Sequence, residues 1–325
     1  ERRKEAFMEL RETAWNLLKT VDQVILGKSG ETREVLAAML TGGHVLLEDI
    51  PGVGKTSLAV AFSRLLGFQW NRVQFTPDVL PSDLTGFSMY RRDTQTFEYQ
   101  PGAVFCNLLL ADEINRTSPK TQSALLEVME ERQVTVDGET REVPSPFFVI
   151  ATQNPFGTAG TQMLPAAQVD RFMISLSLGY PDFENEIAMA KGEDAGTRAK
   201  KLEPQADIET FEEMRRQVKE VYMDDDLYEY IVKLMTATRE SLYLEMGASP
   251  RGTLALVRMA KASAWLRGSD FVIPQDVKEQ FSYVAKHRII LNGKARADGV
   301  AKEDVLRGIL STIWTPDFGR KKKHA

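Results

Sequence analysis

Between a short apolar run at residues 44–48 and a helix-forming stretch at 55–66, the chain reads Pro51-Gly52-Val53-Gly54-Lys55-Thr56. Glycines at this spacing let the backbone curl until successive N–H groups point at one anion, and the start of the following helix adds its partial positive charge. A lysine at this point reaches the β- and γ-phosphates of a nucleotide, and the hydroxyl after it ligates Mg²⁺. Such a loop needs a strand before it and a helix behind it, which selects α/β architectures over all-α and all-β ones. The general pattern G-x-x-x-x-G-K-[ST] asks for glycine at position 49, where this chain has Asp49. The bland alternative is a glycine-rich turn with an exposed lysine.

A second signal makes that alternative the weaker one. Leu108-Leu109-Leu110-Ala111 runs into Asp112-Glu113, an apolar strand that ends in two carboxylates. Beside a phosphate loop, Asp112 joins Thr56 on the Mg²⁺ shell, and Glu113 orients and polarises a water for attack on the γ-phosphorus.

Further apolar runs at 72–75, 147–152 and 173–178 alternate with helical periodicity. With 44–48 and 107–111 they predict five strands of a parallel sheet covered on both faces. Two hairpins interrupt the alternation. One turns at Asp137-Gly138, a type I′ signal; the other joins 87–90 to 97–100 around a polar tip. Residues 1–26 and 31–40 carry helical spacing ahead of the sheet. Beyond Gly179-Tyr180-Pro181 no strand is expected, and residues 182–313 read as helices, one opened by Asp224, one by Ser249-Pro250 and ended at Gly268, and one by Pro274. The expected division is a nucleotide-binding α/β core at 1–180 and a helical domain at 181–325.

Composition narrows the chemistry. Cys106 is the only cysteine, which excludes an intramolecular disulfide and a cysteine-based zinc site, and three scattered histidines (His44, His287, His324) make no metal cluster. Cys106 precedes a buried strand and is expected to be inert core. With 41 Lys+Arg against 46 Asp+Glu, the net charge of −5 gives no global basic field for nucleic acid. No apolar run approaches the roughly 20 residues needed to cross a bilayer. The first residues, beginning at Glu1 rather than Met, carry no apolar leader. A cytoplasmic chain without membrane insertion is the expectation.

At this level of detail the sequence resembles the AAA+ ATPases, and within them the MoxR family, from about residue 24 to residue 277. The stretches that carry the likeness occur in family order. They are the loop from Leu46 to Thr56, Val73-Gln74-Phe75-Thr76-Pro77-Asp78, and Leu110-Ala111-Asp112-Glu113-Ile114-Asn115-Arg116. Ala151-Thr152-Gln153-Asn154-Pro155, Leu164-Pro165-Ala166-Ala167-Gln168-Val169-Asp170-Arg171-Phe172 and Gly247-Ala248-Ser249-Pro250-Arg251 follow. Asp49 before the Pro-Gly is familiar in that family, whereas Ala166 stands where an acidic residue is expected.

The resemblance implies an AAA+ P-loop core with a five-stranded parallel sheet, two β-hairpin inserts and a C-terminal all-α lid, binding ATP and Mg²⁺. It implies that Asn154 is a polar sensor of the attacking water or γ-phosphate. It makes Arg171 an arginine finger for a neighbouring subunit and Arg251 a second sensor, in cis or in trans. Ile25 and Leu26 would pack around adenine, an apolar helix end being the alternative. Gln74 becomes a candidate link between client binding and Glu113, a plain polar strand end being the alternative. Phe87, Met89, Phe97 and Tyr99 either pack on one another across the hairpin, the simpler expectation, or face a central pore. The implied function is ATP hydrolysis by a self-assembled ring, a hexamer, that remodels a partner protein like a chaperone, with a von Willebrand factor A domain protein as possible partner. An ATP-dependent assembly scaffold with little turnover and a DNA-associated motor are the alternatives.

Overall fold

The computed structural model describes residues 2–49, 52–154, 163–192 and 194–316. The chain divides into two compact units, Glu1–Arg216 and Gln217–Ala325.

The first unit starts with helices α1 (Arg2–Asp22) and α2 (Ser29–Leu40) and continues through β1 (Val45–Glu48), α3 (Lys55–Leu65), β2 (Trp70–Gln74) and α4 (Pro81–Thr85). The hairpin β3 (Phe87–Arg91) and β4 (Thr96–Gln100) precedes β5 (Leu108–Asp112) and α5 (Pro119–Glu131). The hairpin β6 (Gln133–Val136) and β7 (Glu139–Glu142) precedes β8 (Phe148–Gln153), α6 (Ala166–Val169) and β9 (Ile174–Leu176). Five strands form one parallel sheet in the order β2-β5-β8-β1-β9, as expected from the sequence. Every residue of β5 and β8 is buried, because a parallel sheet carries helices on both faces. Leu109, Ala111, Val149 and Ala151 pack with Leu125, Val128 and Met129 of α5. On the other face Phe148 meets Phe68 and Phe211, whose rings lie 6.0 and 5.7 Å from its own.

The register matters for function. Gln74 lies opposite Asp112, Ala111 opposite Ala151, and Leu47 and Glu48 opposite Thr152 and Gln153. The carboxyl ends of four strands therefore reach one edge of the sheet, the usual place for a ligand in open α/β sheets.

The boundary between units falls later than residue 180. Helices α7 (Phe183–Lys191) and α8 (Ala195–Lys200) and the start of α9 (Ile208–Glu220) belong to the first unit. The reason is local: the N–H groups of Gln205 and Ala206 donate to the carbonyl of Leu65 at 2.8 and 3.0 Å, and Phe211 stacks edge-on against Phe68.

The second unit holds α10 (Asp225–Arg239), β10 (Leu244–Met246), α11 (Pro250–Leu266), α12 (Pro274–Ala285), β11 (Ile290–Leu291), α13 (Gly293–Ala297) and α14 (Lys302–Thr312). Asp224 and Ser249 cap α10 and α11 as their positions predict, each accepting from a backbone N–H two residues on. The antiparallel pair β10–β11 corrects the expectation of helices alone; segments of two and three residues are too short to leave an alternating pattern.

The hairpins also form as predicted, with Asp137 and Gly138 both at positive φ, as a type I′ turn requires. Their aromatic residues do not form one cluster. Pairing places Phe87 and Met89 on one face and Tyr90, Phe97 and Tyr99 on the other. Phe97 packs on Tyr90 at 5.3 Å yet stays 74% exposed, and Phe87 and Met89 are exposed as well. Tyr99 instead stacks under Arg141 of the second hairpin, 4.0 Å from ring centre to guanidinium.

Candidate nucleotide site

Gly52 and Gly54 adopt φ of +89° and +93°, left-handed values that suit glycine, and Gly54 forms the N-cap of α3. Among the described residues nothing lies within 4 Å of where a Cβ on Gly52 would stand, so the curl leaves open space beside the loop. Lys55 is largely buried, its Nζ donating to the carbonyl of Asp49 at 3.3 Å. Pro51 lies outside the described residues.

Asp49 has a specific task. Its buried carboxylate accepts from the hydroxyl of Ser177 at 2.6 Å and from the N–H groups of Leu178 and Gly179 at 2.7 and 2.9 Å. It thereby ties the entrance of the loop to the chain leaving edge strand β9. Where the general pattern has glycine, this chain has a structural anion.

A cavity of about 580 Å³ opens beside the loop, lined on one wall by Gly52, Gly54, Lys55 and Thr56 and on another by Arg72, Gln74, Asp112 and Glu113. Met189, Asp194 and Arg198, from α7 and α8 and the turn between them, line a further side. Lysine, hydroxyl and both carboxylates thus face one volume. Val53 is in the loop but not in the described lining. Ile25 is buried near the loop, its Cδ1 3.7 Å from where a Cβ on Gly54 would stand, and Arg198 donates to the carbonyl of Val24 at 3.3 Å. Leu26 is half-buried beside it.

The acidic pair is tightly wired. The hydroxyl of Thr152 donates to Oδ1 of Asp112 at 2.6 Å and accepts from the N–H of Glu113 at 2.8 Å. Nη2 of Arg72 donates to Oδ2 of Asp112 at 2.7 Å and to Oε1 of Gln74 at 3.0 Å. Gln74 in turn donates to Oε2 of Glu113 at 3.1 Å, which also receives Nη1 of Arg116 at 2.6 Å. Glu113 holds a left-handed backbone, φ 56° and ψ 47°, a conformation that costs a non-glycine residue energy and clusters at functional sites.

The donor set suits a divalent cation of the hard, oxygen-seeking kind. Thr56 and Asp112 offer oxygen ligands, and a guanidinium already stands against Asp112 as a stand-in cation. Among the described residues no group of three His, Cys, Asp or Glu is placed to hold a metal alone. The residues therefore fit an ion that brings further oxygens with it, as a phosphate-bound Mg²⁺ does.

The remaining sequence candidates are not among the described lining residues. Asn154 directly follows the last residue of β8, beyond Thr152 and Gln153. Arg171 donates to the carbonyl of Leu126 at 2.8 Å and pairs with Glu130 at 2.5 Å, both on α5. Arg251 is exposed in the first turn of α11, in the second unit. Sequence reasoning assigned no role to Arg72, Thr152, Arg116 or Arg198. Arg72 alone left a signal: it sits two residues before Gln74 on a strand, so both share a face.

Residues 44–174 match the model of the ATPase family associated with various cellular activities, and residues 236–309 match an AAA lid domain. A Bacillus subtilis protein, YeaC, is 46% identical over 91% of this chain and 92% of its own length. The Mycobacterium tuberculosis chaperone MoxR1 is 40% identical over 91% of this chain and 80% of its own. The crystal structure of a candidate ATPase from Cytophaga hutchinsonii superposes with a TM-score of 0.89 at 36% identity, covering 97% of this chain and 98% of that one. With loop, acidic strand end and lid in place and such identity along nearly its whole length, the chain belongs to the MoxR family of AAA+ ATPases.

Proposed function

We propose that this protein is a Mg²⁺-dependent ATPase that assembles with itself into a ring, a hexamer, and remodels a partner protein in the manner of a chaperone. The observation that carries the reading is that Lys55 and Thr56 on one wall face Asp112 and Glu113 on the other, across a single cavity. Lys55 and the N–H groups of the Gly52–Gly54 curl bind the phosphates, and Thr56 and Asp112 hold the ion. When bound, Mg²⁺ would neutralise charge on the phosphates and fix their geometry. Glu113, kept in place through Thr152, takes the proton of the attacking water. Asn154 and Arg251 act as γ-phosphate sensors, Arg171 as the finger for a neighbouring subunit, and Ile25 and Leu26 line the adenine side. The family name of the MoxR1 relative, a chaperone, supports the remodelling role.

A protein client suits the surface better than a nucleic acid does. Two hairpin arginines are committed to carboxylates, Arg91 to Glu98 and Arg141 to Glu139, while Phe87, Met89 and Phe97 are exposed. A von Willebrand factor A domain protein is the proposed collaborator, in the cytoplasm. Among the described residues no helix is long and apolar enough to cross a membrane.

The test is a pair of variants. Glu113→Gln keeps nucleotide affinity while turnover drops at least about a hundredfold, the usual contribution of a positioned base. Lys55→Ala loses binding itself. Hydrolysis by Lys55→Ala at the parent rate would remove the site assignment.

A further inference from the structure

We propose that Arg72 is the site's own exchangeable counter-cation, holding Asp112 in the nucleotide-free protein and competing with the divalent ion for that carboxylate. The inference rests on the reading of the cavity as a Mg²⁺–nucleotide site and adds a residue that tunes how strongly metal and nucleotide bind together.

Asp112 and Glu113 place two adjacent negative charges at the carboxyl end of a buried strand. Like charges so close raise each other's energy unless cations stand by. The structure supplies one for each, Arg72 for Asp112 and Arg116 for Glu113. The two sources differ in kind. Arg116 lies three residues from its partner, in the turn that follows β5. Arg72 reaches across from edge strand β2, where it pairs with Leu110 and extends diagonally to Asp112.

Each carboxylate oxygen of Asp112 already accepts a hydrogen bond, and a divalent ion approaching Oδ2 meets the like charge of the Arg72 guanidinium, so metal binding there favours the departure of a donor. Thr152 is the fixed one: it is fully buried, and its hydroxyl both donates to Oδ1 and accepts from the N–H of Glu113. Moving it would break the anchor of a strained residue. Arg72 is the movable one, with a long side chain 44% exposed on an edge strand. Its departure frees Oδ2 without uncovering the core.

The exchange has a second consequence. The same Nη2 that holds Asp112 also donates to Gln74, which donates to Glu113. Displacing Arg72 removes one of the bonds that orient Gln74, so occupation of Asp112 is communicated to Glu113 through side chains on one strand face. Arg72 is therefore a positioning residue for the acidic pair and a competitor of the metal, not a reacting group.

The test reads the coupling between metal and nucleotide rather than turnover. Affinity for a fluorescent ATP analogue is measured with Mg²⁺ and with EDTA, in the parent protein and in Arg72→Gln and Arg72→Lys, which leave the buried side chains intact. Removing the competing charge weakens metal-free binding and relieves competition in the presence of metal. The ratio of the EDTA to the Mg²⁺ dissociation constant therefore rises about tenfold in Arg72→Gln, the scale of one charge-assisted hydrogen bond. Arg72→Lys, which keeps the charge, stays near the parent ratio. In an Asp112→Asn background Arg72→Gln changes the ratio little, because its partner charge is gone. A parent protein that binds the analogue with Mg²⁺ dependence, but an Arg72→Gln ratio that is unchanged or lower, overturns this proposal and leaves the site reading standing. A parent protein that binds no nucleotide under either condition overturns both.

Discussion

Asp49 shows how a departure from a general motif can be a structural requirement. Its carboxylate satisfies two backbone N–H groups and one hydroxyl in a buried setting. Asp49→Gly would restore the general phosphate-loop pattern, yet it strands those donors, and each unsatisfied buried donor costs about 1–3 kcal/mol. The expected outcome is a less stable protein, by about 2–4 kcal/mol after relaxation and solvation of the vacated space, measured by urea denaturation. Unchanged stability in Asp49→Gly would show that the three bonds contribute nothing. Lys55, Thr56, Asp112 and Glu113 were readable in the sequence because local chemistry defines them: a curl of glycines and an apolar strand that ends in acid. Arg72, Thr152 and Arg198 were not, since each acquires its role from a neighbour about 40 or more positions away in the chain or from a wall that only the fold assembles.

Strands and helices were the more legible level. The five runs that became the sheet were continuous apolar stretches, and burial on both faces of a parallel sheet produces that signature. What periodicity left unread were the ties between elements. His44, just before β1, is one of them. Its Nδ1 accepts from the N–H of Val149 on β8 at 3.0 Å, which requires the proton on Nε2, where the ring donates to the carbonyl of Met129 on α5 at 3.1 Å. Burial, seconded by the charge of Arg132 and partly offset by the Met129 carbonyl, pushes its pKa from 6.5 down to about 3. The unfolded chain therefore binds a proton that the folded one refuses. The contribution is fully present above pH 6.5 and is lost as pH falls from there toward 3. At pH 5 the loss amounts to about 2 kcal/mol relative to pH 7.5. His44→Gln, which can also accept from Val149 and donate to Met129 but does not titrate, removes that part of the acid limb. Urea titrations at the two pH values check it. Equal pH dependence in the two proteins would exclude His44 as the source.

Taken whole, the chain carries a site that its own residues line in part, and an arginine that the described lining does not contain. Arg171 is 30% exposed and held by Glu130 and the Leu126 carbonyl on α5, whereas the cationic residues facing the cavity are Lys55, Arg72 and Arg198. In the proposed ring, Arg171 would serve phosphoryl transfer across a subunit boundary, which a head-to-tail contact repeated around a closed ring would supply. Ring assembly therefore has a kinetic signature that does not depend on imaging the ring. Arg171→Ala subunits keep an intact Glu113, and Glu113→Gln subunits keep an intact Arg171, so each homogeneous preparation is inactive for a different reason. In a 1:1 mixture with random order, about a quarter of the composite sites combine the good base of one subunit with the good finger of the next. ATP turnover should then rise well above that of either variant alone, toward about a quarter of the parent rate if sites fire independently. The decisive comparison is the mixture against the average of its components after subunit exchange has been verified with labelled chains. A mixture that exchanges freely and gains no activity places Arg171 outside the neighbour's site and removes the kinetic reason for a ring.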